Sequence, residues 1–305
     1  MSGQRAIGVD VGGSKILAGV VSREGEVARR EMRPTIAPSQ EQLLADLDEV
    51  VESLNGDDVV ALGFGLPSTI DQRRGRAVSS VHIPLADIDF RERMAERFGL
   101  PVAIDNDGNA TAIAEWKLGA GRGASHIVAL TLGTGIGGGL ILDGRPYRGS
   151  VGAAAELGHI VLDYGGVPCG RGCTGHGHFE ALAAGPAAGA AAVRRFGEGA
   201  DARRLVEAAR AGDQGALADL TEIGRRLGAG IGSLVNVFNP ELVIIGGGFA
   251  EAGDVIFDAL HETLAVEALA PARDLVRVVP ARFGFEAGMI GAALVGFEAL
   301  DARPG

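Results

Sequence analysis

The chain has 305 residues, 47% hydrophobic and 22% charged, as expected of a globular α/β protein long enough for two domains. A formal net charge of -11 argues against a nucleic-acid surface, which needs clustered Lys and Arg. No stretch suits a bilayer either: the least polar one, 181–193, is short, made mostly of Ala and Gly, and broken by Gly185-Pro186.

Residues 5–33 read as a strand meander with turns at Gly12-Gly13 and at 23–25. Ser39-x-x-Gln42 then has capping-box form, and Leu43, Leu47, Val50, Val51 and Leu54 make one face of a helix. A strand over 59–66 ends at Pro67, a helix is expected over 88–98, a short buried strand over 101–105 and a helix over 109–118. Gly119-Ala-Gly-Arg-Gly123 is read as an inter-domain hinge. A strand over 126–132 restarts the pattern, and 138–142 with the Asp143-Gly144 turn forms a hairpin. Residues 186–238 read as helical, followed by a strand at 242–245, a helix near 253–264, a strand at 275–280 and a last helix from about 286 to 300. The expected domains are therefore 1–118 and 119–285, with the terminal helix (286–305) packing back on the first. No signal-peptide pattern precedes the first strand, so a cytoplasmic protein is expected.

Glycine is the outlier, at 49 residues. Three glycine turns each follow an apolar, β-branched run: Asp10-Val-Gly-Gly-Ser-Lys15, Gly133-Thr-Gly-Ile-Gly-Gly-Gly139 and Gly246-Gly-Gly248. Glycine lets backbone amides approach an anion closely, so strand-to-glycine turns suit phosphate. Three of them suggest one nucleotide gripped from two sides, as in a two-lobed phosphotransferase.

The polar residues between the turns carry the chemistry. Asp10, at the end of the first strand, can hold magnesium beside a phosphate turn formed by Gly12, Gly13 and Ser14, or can simply start a tight turn. Ile104-Asp-Asn-Asp-Gly-Asn-Ala110 sets polar groups at the carboxyl edge of a strand. A carboxylate there can take a proton from a substrate hydroxyl, although Asp107 could equally cap the next helix. Glu156, His159 and Glu180 can exchange hydrogen bonds with a ring of hydroxyls. His159, Cys169, Cys173, His176 and His178 form a short, glycine-spaced set of nitrogen and sulfur donors. With no secretion signal, such a set suits tetrahedral zinc better than a disulfide, and the metal would hold the loop's structure.

Together these motifs resemble the sugar kinases of the ROK family (repressors, open reading frames, kinases), glucokinases in particular. The resemblance runs from Asp10 to Gly288-Met-Ile-Gly-Ala-Ala-Leu294, and its most specific part is 132–140, then Gly149, then Glu156-Leu-Gly-His159. It implies a two-lobed α/β fold of the actin/hexokinase (ribonuclease H-like) type with a cleft between lobes. It further implies an ATP- and Mg2+-dependent hexose kinase acting on a sugar 6-hydroxyl, with structural Zn2+ in a loop over 159–180. Asp107 would be the catalytic base, with Gly65, Asn106, Glu156, His159 and Glu180 binding the sugar. Asp10, Gly12, Gly13, Ser14, Lys15, Gly133, Thr134 and Gly135 would serve the phosphates, and Gly246, Gly247 and Gly248 would lie near the adenosine.

Several positions depart from the family pattern. Ser14 stands where Thr is usual, and Ala155 replaces the usual Gly before Glu156. The cysteine spacing is longer than usual, and His178 stands where a last Cys is expected. The expected zinc set is therefore His159, Cys169, Cys173 and His178, with His176 as the substitute for His178. Ser79-Ser-Val-His-Ile-Pro84 differs from the segment common in glucokinases, so fructose, mannose and the N-acetylhexosamines stand as alternative substrates, and polyphosphate as an alternative donor. A sugar-sensing regulator would need a DNA-binding module ahead of Asp10, where nine residues stand. An actin-like filament protein would not need the Glu156-x-x-His159 motif or the cysteine-histidine loop. A small-molecule sugar, no nucleic acid, no membrane and a homodimer or homotetramer complete the expectation.

Overall fold

A computed structural model describes residues 3–80, 82–170 and 172–302. Val81, in the 79–84 segment, Arg171, in the cysteine loop, and the last three residues of the expected terminal helix lie outside the described residues. The chain divides into two compact units. The first comprises the described residues up to 123 together with 139–155 and those from 281 onward; the second comprises 124–138 and 156–280.

The first unit opens with β1 (Arg5–Val11), β2 (Lys15–Ser22) and β3 (Val27–Pro34), an antiparallel meander. Helix α1 (Gln40–Leu54) follows, capped by Ser39, whose Oγ accepts the Gln42 amide at 3.2 Å. Then come β4 (Val59–Leu66), the small hairpin β5 (Thr69–Asp71) and β6 (Arg76–Ser79), α2 (Phe90–Phe98), β7 (Val102–Asn106) and α3 (Asp107–Lys117). The sheet order is β3-β2-β1-β4-β7, with β1, β4 and β7 parallel. One sheet face is covered by the apolar stripe of α1, where Leu43, Leu47 and Val51 are fully buried. Each such side chain contributes roughly 2 kcal/mol on leaving water, before chain entropy is set against it.

The second unit begins with β8 (Ile127–Leu132), and the chain crosses to the first unit within β9 (Ile136–Leu142), which pairs with β10 (Arg145–Pro146). After the loop over 147–155 come β11 (Pro168–Gly170) and β12 (Cys173–His176), a two-stranded ribbon. Next are α4 (Phe179–Ala183), α5 (Gly185–Phe196), α6 (Ala202–Arg210) and α7 (Gln214–Phe238). Strand β13 (Leu242–Gly246), α8 (Asp254–Glu267), α9 (Ala272–Leu275) and β14 (Arg277–Pro280) complete this unit. The second sheet runs β10-β9-β8-β13-β14, with β8, β13 and β14 parallel, so it repeats the first sheet's plan.

The chain then re-enters the first unit as α10 (Ala287–Asp301), which packs against β1, β4 and α3. The contact is backbone to backbone. A methyl on Gly8 would lie 2.0 Å from the Met289 carbonyl oxygen, and one on Gly63 would lie 1.8 Å from that of Ala292. Part of the glycine excess therefore serves helix-on-sheet packing rather than phosphate turns. At the far end of α3 the buried Glu115 accepts the amides of Ala120 and Phe283, each at 2.9 Å.

The continuous helical reading of 186–238 is corrected to three helices. Positive-φ glycines interrupt it, Gly197 and Gly199 after α5 and Gly212 after α6. The helix expected over 88–98 starts at Phe90, because Ile88 is drawn into a bridge with Ala77.

Candidate functional site

In the first unit the parallel register brings one row of residues to the carboxyl ends of three strands. Asp10 pairs with Gly65, Gly65 with Asp105, and Leu66 with Asn106. Asn106 caps α3, its Oδ1 accepting the amides of Gly108 at 2.9 Å and Asn109 at 3.3 Å. The capping role open to Asp107 is thus taken by Asn106. Asp107 is the first helical residue, and its Oδ1 accepts the Gly108 amide at 2.9 Å, which fixes the carboxylate.

Gly65 backs both acids. A methyl there would stand 3.5 Å from the Asp107 Cα and 3.6 Å from Asp10 Oδ1. Asp10 is half-buried; loss of hydration pushes its carboxyl up to about 7, the charge of Asp107 pushes the same way, and Lys15 opposes both. A proton-hungry carboxylate beside a second one is a site that favours a cation.

The first glycine turn divides its donors. The Gly12 amide is committed to the Lys15 carbonyl at 2.8 Å, while Gly13, Ser14 and Lys15 are exposed. Thr35 buttresses the turn through its Oγ1 to the Gly12 carbonyl and its amide to the Ser14 carbonyl.

In the second unit the turn after β8 is also partly committed. The Gly133 amide donates to the Gly135 carbonyl at 2.9 Å, and the Ile136 amide to Glu180 Oε2 at 3.2 Å. A methyl on Gly135 would fall 2.4 Å from that same Glu180 oxygen, so a glycine there admits a carboxylate from within the protein. Thr134 is left exposed. Gly246 ends β13, Gly247 has φ +89 and packs on the end of β8 at Leu132, and Gly248 faces open space.

Glu156 is exposed and precedes a 3-10 turn over Leu157–His159. His159 leaves that turn, Cys169 lies on β11, Cys173 on β12, and His178 caps α4. Their ligand atoms lie within 4.8 Å of one another. His159 Nδ1 is 3.1 Å from His178 Nδ1 and 3.8 Å from Cys169 Sγ, and Cys173 Sγ is 3.5 Å from His178 Nδ1. A zinc tetrahedron has edges of about 3.3 Å between nitrogens and about 3.6 Å between nitrogen and sulfur, so the donor set fits zinc. His176, on β12, is not in the cluster. Burial, with Glu180 and Cys173 beside it, pushes the Cys169 thiol up to about 12, and a dication among these donors is what would favour thiolates.

Three residues of the first unit join this picture without a prior role. Asp105 is fully buried one step before Asn106, and it accepts from Arg148 Nε at 2.8 Å and Nη2 at 2.6 Å and from Gln72 Nε2 at 3.2 Å. The Asp-Asn-Asp run pointed to Asp105, but nothing in the sequence tied Arg148 or Gln72 to it.

The ROK family model matches residues 6–297. A glucokinase of Thermotoga maritima is 34% identical over 313 residues, covering 95% of this chain and 96% of that protein. A ROK family glucokinase of Streptomyces griseus, solved with glucose and AMPPNP, is 32% identical with a TM-score of 0.83, covering 96% of this chain and 99% of that one. A xylose repressor of Caldicellulosiruptor bescii is 28% identical, matching 85% of this chain and 69% of its own length. The two five-stranded α/β units are accordingly those of the ROK, hexokinase-like fold.

Proposed function

The chain belongs to the ROK family, and on that premise we propose that it is an ATP-dependent hexose kinase that phosphorylates glucose at its 6-hydroxyl. The observation that carries this reading is the pair Asp10 and Asp107 at the carboxyl edge of one sheet, backed by Gly65, in a chain of which 95% aligns with a glucokinase. Asp107, held by the Gly108 amide at the start of α3, takes the proton of the sugar hydroxyl as the phosphoryl group is attacked in line. Asn106, Glu156, His159 and Glu180 hold the other hydroxyls. Because His159 turns Nδ1 toward the cysteines, its Nε2 is the nitrogen that meets the sugar.

Phosphate oxygens are met by the Gly13 and Ser14 turn with Lys15, and by Thr134 with the Gly133 and Gly135 turn; Gly246–Gly248 serve the adenosine side. Asp10 would hold magnesium, which when bound neutralises charge on the phosphates. His159, Cys169, Cys173 and His178 would hold zinc, which cross-links a loop with little apolar core of its own. By the same reading the protein is a cytoplasmic homodimer or homotetramer, which sedimentation would check.

The experiment is Asp107→Asn. Turnover should fall by roughly two or more orders of magnitude, while calorimetric glucose affinity stays within a few fold. Near-normal turnover in a folded variant would overturn the assignment.

A further inference from the structure

Asp105 is a fully buried carboxylate surrounded by protein donors. Besides the two Arg148 donors and Gln72, its Oδ1 accepts Asn109 Nδ2 at 3.0 Å and the Asn106 amide at 2.9 Å. All of these partners sit around the turn that presents Asn106 and Asp107, and the cation among them is Arg148. Arg148 comes from the loop over 147–155, which is itself a closed unit. The Ala154 amide donates back to the Arg148 carbonyl at 3.3 Å, and Gly152 lies so close to the Ile70 carbonyl that a methyl would stand 1.7 Å from it. Gln72 follows Ile70 on the same hairpin, so hairpin, loop and turn meet at one carboxylate. The loop then runs directly into Glu156.

Resting on the kinase reading, we propose that Arg148 is a positioning residue: by clamping Asp105 it fixes the Asn106-Asp107 turn at the point where Asp107 must meet the hydroxyl proton. A planar guanidinium giving two donors to one carboxylate oxygen sets direction as well as charge, which an ammonium cannot copy. Because Asp105 precedes Asp107 by two residues on a strand-to-helix turn, freedom at Asp105 becomes displacement of the base. A shift of about 1 Å at a reacting group can cost about 100-fold in rate.

The test compares full-length wild type, Arg148→Lys, Arg148→Ala, Asp105→Asn and the Arg148→Ala/Asp105→Asn double variant with glucose and MgATP. Arg148→Lys should lose about 10-fold in kcat and Arg148→Ala about 100-fold, with calorimetric glucose affinity and KM for ATP within about threefold of wild type. Added guanidinium should restore part of the Arg148→Ala activity and none in the double variant, which has lost the anion it must pair with. The double variant should be no slower than the worse single one.

Unchanged kcat in folded Arg148→Lys and Arg148→Ala would overturn the proposal. So would a loss confined to glucose or ATP affinity, multiplicative effects of the two substitutions, or rescue that persists without the Asp105 charge. Wild type inactive on every hexose would instead overturn the kinase reading, and the positioning role with it.

Discussion

Asp10 holds its proton far above the usual carboxylate range because it is half-buried and faces Asp107. The sign of its effect on stability follows. A folded-state value raised from 3.8 to about 7 gives stability that is present below about pH 4 and lost as the pH rises through about 7. Between pH 4.5 and 8, in chelator, wild type should lose on the order of 2 kcal/mol relative to Asp10→Asn, read by urea unfolding. Parallel pH profiles for the two proteins would contradict this. Ala155 carries backbone strain: half-buried, at φ +66, it occupies the left-handed region where the family usually has glycine. The conformation costs about 1–2 kcal/mol for an L-residue, and glycine returns about 0.5–1 kcal/mol of that through the unfolded chain. Ala155→Gly should therefore raise stability by roughly 0.5 kcal/mol, and a lower urea midpoint would contradict it. Residue types left Asp10 and Asp107 each with a purely structural reading open, and only the family resemblance gave them roles. Residue types could not reveal that Asn106 takes the cap, or that Asp105 is bound by Arg148, because both depend on which side chains the register brings together.

At the scale of elements, the glycine turns are partly committed to the protein itself. The turn after β8 commits its Ile136 amide to Glu180, and Gly135 is the residue that makes room for that carboxylate. Gly135→Ala should push Glu180 aside and weaken glucose binding by about tenfold, the loss of one charge-assisted hydrogen bond. Unchanged affinity in calorimetry would separate Glu180 from the sugar. The β11–β12 ribbon and the cap of α4 help bring together the four donors that fit zinc, so removing a zinc held there should loosen this loop. Chelation is expected to lower thermal stability and, through His159, to weaken glucose affinity; a chelated protein that binds glucose as before would contradict the shared role. Donor types and spacing were legible in the chain, and the geometry chose His178 over His176. The ribbon itself was not legible, since three- and four-residue strands carry no hydrophobic period. The breaks between α5, α6 and α7 lay at glycines hidden within an apolar, helix-like pattern.

For the molecule as a whole, a duplicated plan could be read from the alternation of strands and helices, and the structure gives it as two five-stranded sheets, with α10 packed on the first. The reason for the glycine count was not readable that way. Gly8 and Gly63 look like ordinary strand residues until a helix is laid against them at backbone distance. No helix among the described residues is long and apolar enough to cross a membrane. The net charge of -11 argues against a broadly basic binding surface. The most direct measurement is phosphoryl transfer itself. Full-length, zinc-loaded protein is incubated with MgATP and, separately, with glucose, fructose, mannose, N-acetylglucosamine and N-acetylmannosamine, with polyphosphate as a second donor, and the products are followed by phosphorus NMR. The account predicts glucose 6-phosphate from ATP as the dominant product, formed roughly two or more orders of magnitude more slowly by Asp107→Asn; ATP left intact with every sugar would contradict it.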